Sequence, residues 1–160
     1  MKKSGIAMLV LSLLFSMDLY AADNIFKPAW WKNATIADVK SEFVDVAKIN
    51  IQNSSGRTPL MAAVTEVNNP DILKIILKPN VNLNQRDKNG MTALMYACKY
   101  AKDDKAIKLL LRNKADVSII DNRGKTAIDY VEMNKNIQPK YIANVLRIYA
   151  AREQRAPFKK

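Results

Sequence analysis

The stretch Asp87-Lys-Asn-Gly-Met-Thr-Ala-Leu-Met-Tyr-Ala97 lies near the middle of the chain, and similar stretches lie 34 residues before and after it. They read Asn53-Ser-Ser-Gly-Arg-Thr-Pro-Leu-Met-Ala-Ala63 and Asp121-Asn-Arg-Gly-Lys-Thr-Ala-Ile-Asp-Tyr-Val131. A fixed period that holds at this many positions predicts a repeat architecture.

Each repeated residue type has a physical reason. Glycine lets a turn adopt positive φ, and Asp or Asn at its start can accept hydrogen bonds from nearby backbone amides. The threonine is suited to cap a first helix, whose Leu and Ala residues allow close packing. The apolar residues at 72–77 and 106–111 predict a second helix in each unit. Because no unit buries its own apolar face, stability requires stacking of units and capped ends.

These stretches resemble the turn-Thr-Pro-Leu-His-x-Ala signature of the ankyrin-repeat family. The resemblance covers about residues 35–150 and implies an all-α solenoid of stacked helix-turn-helix units with β-hairpin-like loops. It implies about three and a half to four repeats with terminal caps. The chain departs from the family where Met61, Met95 and Asp129 replace the usual histidine, and where glycine is missing before Val81 and Ala115. We place the one residue by which the period exceeds the usual 33 between the two helices of a unit.

The sequence predicts four segments: a signal peptide at 1–22, an N-terminal arm at 23–34, an ankyrin-repeat domain at 35–152 and a basic tail at 153–160. Within the domain we expect a partial repeat at 35–52, full repeats at 53–86 and 87–120, and a C-terminal capping repeat at 121–152. Thr35 followed by Asp38 predicts a capped helix running to about Val46. Apolar residues between Tyr141 and Tyr149 predict a closing helix.

The N-terminus is typical of a secretory signal peptide. Lys2 and Lys3 precede an apolar stretch at 6–15, and Ala21 and Ala22 suit cleavage. The apolar stretch is shorter than the roughly 20 residues that span a bilayer, so we expect no stable membrane span after cleavage, although an uncleaved signal stays an alternative. We therefore expect a periplasmic protein that is a monomer when free.

Composition disfavours most catalytic chemistry. The chain has no histidine and a single cysteine, Cys98, so the usual hydrolase base, the commonest zinc ligand and an intramolecular disulfide are all missing. A Ser-Lys site could still be built, but no spacing indicates one. We predict a protein that is not an enzyme and has no cofactor and no metal site. Its net charge of +11 favours acidic partners, and export makes nucleic acid an unexpected one.

The resemblance implies that the protein binds a partner protein with its groove and loop tips, where aromatic and cationic side chains are typical binding hot spots. Trp30 and Trp31 form an aromatic pair before the first helix, and we expect one to cover the end of the stack while the other contacts a partner. The other predicted binding residues are Ser54, Ser55, Arg57, Thr65, Lys88, Asn89, Met91, Tyr96, Lys99, Tyr100, Asn122, Arg123, Lys125, Tyr130 and Met133.

Family and compartment together suggest an inhibitor or self-protection (immunity) protein. It would block a periplasmic enzyme that has an acidic surface, such as a peptidoglycan peptidase. Two alternatives stay open: an envelope scaffold or enzyme-supporting protein, and a secreted effector that acts on a host protein.

Overall fold

A computed structural model describes residues 24–44, 46–67, 69–77 and 81–155. The predicted signal peptide at 1–22 lies outside the described residues, as do residues 156–160 of the predicted tail. Export to the periplasm therefore stays a prediction.

The described residues form helices, joined by turns, and contain no β-strand. The helices are α1 (Pro28–Asn33), α2 (Ile36–Glu42), a 3₁₀ helix (Val46–Ile49), α3 (Pro59–Glu66), α4 (Pro70–Ile76), α5 (Ala93–Tyr100), α6 (Lys105–Arg112), α7 (Ala127–Met133) and α8 (Pro139–Arg155). The prediction of an all-α fold is confirmed for the residues that the structure describes.

The helices pack in two rows. Helices α1, α3, α5 and α7 contact one another in order, α2, α4 and α6 form the second row, and α8 packs on α7. The first unit therefore has both of its helices, and the segment predicted as an arm contains the first of them. Sequence reasoning missed α1 because no repeat turn precedes it. Helix α2 is shorter than predicted, since it ends at Glu42 and a 3₁₀ helix follows it.

The three repeat turns have the same geometry. Gly56, Gly90 and Gly124 have φ values of 75°, 79° and 73°. In every turn the first residue uses its side-chain Oδ1 to accept the amides two and four positions later. These bonds measure 3.0 and 3.0 Å at Asn53, 2.9 and 2.8 Å at Asp87, and 2.8 and 2.9 Å at Asp121.

Neighbouring turns are joined by backbone hydrogen bonds. The Lys88 amide donates to the Ser55 carbonyl at 3.1 Å, and the Asn122 amide donates to the Asn89 carbonyl at 2.9 Å. A Cβ added to Gly56 would lie 2.9 Å from the Lys88 nitrogen, so the close approach of the turns also requires glycine there. The turns thus form a ladder beside the row α3, α5 and α7.

Helix starts follow the predicted capping. Oγ1 of Thr58 accepts from the Met61 amide at 3.3 Å, and Oγ1 of Thr92 accepts from the Met95 amide at 3.4 Å. The predicted capping box at the start of α2 is confirmed, because Thr35 and Asp38 exchange side-chain and backbone hydrogen bonds. Caps of this kind fix where each helix begins relative to its turn.

Candidate functional site

The candidate site is the inner surface, which we define as the turns 53–57, 87–91 and 121–125 together with helices α3, α5 and α7. The turn ladder holds the loop side chains at one edge of this surface. Equivalent positions on the stacked helices recur at intervals of 34 residues, as at Thr65, Lys99 and Met133. Residues from different repeats therefore meet here.

Two buried tyrosines fasten the helices to the turns. The Tyr96 hydroxyl donates to Oδ2 of Asp87 at 2.8 Å, and the Tyr130 hydroxyl donates to Oδ2 of Asp121. Burial and the bond to Asp87 raise the pKa of Tyr96 to about 12. Burial also raises the pKa of Tyr130, with a further contribution from Asp121.

The acid in the last turn is held ionised. Burial works to raise the pKa of Asp121, but hydrogen bonds from Tyr130 and from the amides of Lys125 and Arg123 outweigh it and lower the pKa to about 2. Both Asp87 and Asp121 are buried, and their carboxylate oxygens accept hydrogen bonds from the turn amides and the tyrosine hydroxyls. They therefore expose little negative charge at the inner surface.

Cations lie against the aromatic rings along this surface. Cζ of Arg57 is 4.7 Å from the centre of the Tyr96 ring. Nζ of Lys99 lies between two rings, 4.7 Å from the centre of Tyr100 and 5.4 Å from that of Tyr130. Such stacking holds long side chains in place while leaving their charge available.

Most of the predicted binding residues lie at the surface. The exposed ones are Ser54, Ser55, Lys88, Asn89, Tyr100, Asn122, Arg123 and Met133, and the half-buried ones are Trp30, Arg57, Lys99 and Lys125. Tyr100 and Met133 are 47% and 56% exposed, which leaves apolar area free among the cations. The structure thus brings an aromatic ring, a thioether and several positive charges to one face.

Five of the predicted binding residues are buried and cannot offer their side chains to a partner: Trp31, Thr65, Met91, Tyr96 and Tyr130. Trp31 is 1% exposed; it stacks on Phe43 and donates from Nε1 to the Ile25 carbonyl at 2.7 Å. It is thus buried inside the first unit, and Trp30 packs edge-on against it.

The other four are buried by repeat packing. The Thr65 hydroxyl donates to the Ala62 carbonyl at 2.8 Å within its own helix, and Met91 packs in the core behind its turn. Tyr96 and Tyr130 reach back to the turn acids as described above. These side chains support the inner surface from below and do not form its exposed part.

Sequence reasoning missed the two acids that bind the tyrosines. A signal was present: Asp87 precedes Tyr96 by nine positions, Asp121 precedes Tyr130 by nine, and the first repeat has Asn53 and Ala62 in the same places. Acid and tyrosine thus occur together or not at all. Such a pattern indicates contact within one repeat.

Little in the described residues indicates catalysis or metal binding. No group of three or more His, Cys, Asp or Glu side chains in this part of the chain could hold a metal ion. Cys98 is buried, and burial raises the pKa of its thiol, which makes the nucleophilic thiolate scarce. Among these same residues, no helix combines the length and the apolar character needed to cross a membrane.

Comparison with known families gives one clear result. A family model described as ankyrin repeats, in three copies, matches residues 64–150, more than half of the chain. A search of curated proteins gives no significant match. The matched range contains the second and third turns and every helix from α4 to most of α8.

Proposed function

The chain belongs to the ankyrin-repeat family, and from that premise we propose that it is an exported protein whose inner surface docks on an acidic periplasmic enzyme and inhibits it. Ankyrin repeats indicate a protein–protein interaction module, and stacked repeats of this kind present an extended surface to a partner.

The observation that carries the proposal is uncompensated positive charge on the inner surface. Arg57, Lys88, Lys99 and Lys125 form no ion pair with any described residue. Asp87 and Asp121 are buried in the turns, whereas Asp129 of α7 is exposed and interacts electrostatically with Lys125. Opposite charge on a partner would speed association and fix its orientation.

Arg57 is a candidate anchor on this surface. Its Nε is buried without a hydrogen-bond partner, and its guanidinium is stacked on Tyr96. A buried donor that lacks a partner costs about 1–3 kcal/mol. Nε itself is shielded from a docked protein, but a carboxylate on that protein could accept from the accessible part of the half-buried guanidinium.

Export and inhibition rest on other grounds. The basic start and apolar stretch of residues 1–22 support secretion to the periplasm. A rigid module without catalytic groups can act on an enzyme by covering its active site. We propose a peptidoglycan peptidase as the target class, because a self-protection protein would need to inhibit an enzyme of this kind.

The test is capture from periplasmic extract with a chain that begins at residue 23, followed by activity assays on whatever is retained. We expect an acidic hydrolase to be retained and to lose activity when bound. The double variant Arg57→Glu/Lys99→Glu should weaken capture by at least about 100-fold, since two anchor charges are reversed. Circular dichroism would verify that it remains folded.

The matched control is Lys32→Glu/Lys40→Glu, which makes the same change in net charge on exposed positions of α1 and α2. Capture by this variant should equal that of the original chain. Equal loss in both variants would show attraction by overall charge and reject the inner surface as the site. A retained enzyme with full activity would reject inhibition in favour of a scaffold.

A further inference from the structure

Helix α8 has an exposed side opposite the residues that it buries against the stack. Ile142, Ala143 and Leu146 are buried against the stack. The side that faces away, which we call the α8 outer surface, presents Lys140, Tyr141, Asn144, Arg147, Ile148 and Arg152, all exposed. Their spacing of three and four residues places them on one face of the helix.

The charge of this surface is mostly positive. Residues 139–152 include three cations, Lys140, Arg147 and Arg152, and no Asp or Glu, although Glu153 follows in the same helix and Glu132 of α7 borders the surface. Arg147 lies 3.6 Å from Glu132 of α7, and both side chains are more than half exposed. Lys140 and Arg152 form no ion pair with any residue in the described part of the chain.

Two large apolar side chains stand among these cations. Tyr141 is 51% exposed and Ile148 is 53% exposed, and they lie seven residues, or two turns, apart. Tyr141 also borders an open groove of about 830 Å³ that Pro139 and Ala143 help to line. A helix face that combines cations with exposed aromatic and aliphatic side chains has the composition of helices that lie at a membrane interface.

We propose that the α8 outer surface binds the anionic headgroup surface of a lipid bilayer, with Tyr141 and Ile148 entering the interface. A continuous anionic surface meets Lys140, Arg147 and Arg152 at once. A second copy of the chain would bring like charges together instead, and a nucleic acid would leave Ile148 without an apolar partner. This surface is separate from the inner surface, so the inference goes beyond the proposed function.

The test is co-sedimentation with phosphatidylcholine vesicles, with and without about 30% phosphatidylglycerol, at low salt. The chain should begin at residue 23, because the apolar stretch at 6–15 would itself partition into lipid. We expect binding to the anionic vesicles only. Lys140→Glu/Arg152→Glu should weaken it at least tenfold, since each cation near an anionic surface contributes about fivefold.

Tyr141→Ser/Ile148→Ser, which leaves the charge unchanged, should also weaken binding severalfold. The control Lys32→Glu/Lys40→Glu changes net charge equally at the opposite end of the stack and should retain binding. An equal loss in this control would overturn the proposal, as would binding to duplex DNA without binding to vesicles. Capture of the protein target by the α8 variants should be unchanged, which separates this test from that of the inner surface.

Discussion

At the scale of single residues, Lys114 marks a place where the chain departs from its family. It has φ of 65°, and it is the non-glycine residue with positive φ among those described. It follows α6, where its amide donates to the Leu111 carbonyl at 3.0 Å and the Ala115 amide donates to the Leu110 carbonyl at 3.1 Å. This is the Schellman arrangement that usually employs glycine.

We therefore expect Lys114→Gly to stabilise the fold by about 1 kcal/mol, because glycine removes the strain of a side chain in the left-handed region. Urea unfolding would measure the change. Lys114→Ala is the matched control, since it removes the charge but keeps Cβ, and it should give no gain. Equal effects of the two substitutions would mean that charge, and not backbone conformation, governs this position.

Asp121 makes the stability of the fold depend on pH, because its pKa is lowered to about 2 in the folded chain. Above the ordinary aspartate pKa near 4, the folded chain holds the ionised carboxylate more favourably than the unfolded chain does, and this favours folding. That contribution is lost as pH falls from about 4 to about 2. Asp121→Asn should thus cost about 1–3 kcal/mol at pH 6 and less at pH 2.

The Asp121→Asn variant keeps the turn, because Asn53 accepts the same two amides in the first repeat. Unfolding in urea at several pH values would give the comparison. Tyr130→Phe removes one of the bonds that lower the pKa and should show a smaller effect of the same sign. A constant difference between Asp121→Asn and the original chain from pH 6 to pH 2 would refute the prediction.

At the scale of elements, Asn134 joins the ends of two helices. It is 3% exposed, and its Nδ2 donates to the Cys98 carbonyl at 3.1 Å and to the Ala101 carbonyl at 3.0 Å. Asn134→Ala would leave two carbonyls at the end of α5 without this donor. We expect a cost of about 2–3 kcal/mol in urea unfolding.

Asn136→Ala is the control for Asn134, because residue 136 is exposed in the same loop. It should change the free energy of unfolding by less than about 0.5 kcal/mol. If both variants lost the same stability, the loop itself, and not the bridge to α5, would account for it.

The turns could be predicted from the sequence, whereas the first helix could not. The three turns were predictable because each depends on residues within about ten positions, from Asn53 to Ala63 in the first case. Helix α1 was not, because only its packing on α3 identifies it as the first helix of a unit. The surroundings of Tyr96 and Tyr130 likewise include cations of the preceding repeat, Arg57 and Lys99, which periodicity alone does not place.

The same limit applies to the inner surface. Its exposed loop tips could be predicted from the repeat, since they follow directly from the turn positions. Which helix residues remain exposed could not, because Thr65 and Lys99 occupy equivalent positions and yet the first is buried and the second is not. The short Thr65 side chain bonds to its own helix, whereas the longer Lys99 side chain extends to the rings of Tyr100 and Tyr130.

At the scale of the whole molecule, the closest helix contacts among the described residues are within a unit or between neighbouring units, so we expect the stability of each repeat to depend on its neighbours. Hydrogen bonds from the side chains of Gln52 and Arg86 join neighbouring repeats. Nε2 of Gln52 donates to the Arg86 carbonyl at 2.9 Å, and Nη2 of Arg86 donates to the Ile120 carbonyl at 3.0 Å. Each bond links one turn to the next, which favours unfolding of the repeats as a unit.

A substitution in the last helix, with unfolding observed at the first helix, would test this cooperativity. Both tryptophans of the chain lie in α1, while α8 closes the opposite end. Leu146 of α8 is fully buried, and Leu146→Ala should cost about 2–5 kcal/mol. Because the repeats are coupled, we expect the urea transition followed by tryptophan fluorescence to shift as far as the one followed by circular dichroism.

Ile148→Ala, on the exposed side of the same helix, should shift neither by more than about 0.5 kcal/mol. A fluorescence transition that stayed in place while the helical signal moved would show that the two ends unfold independently.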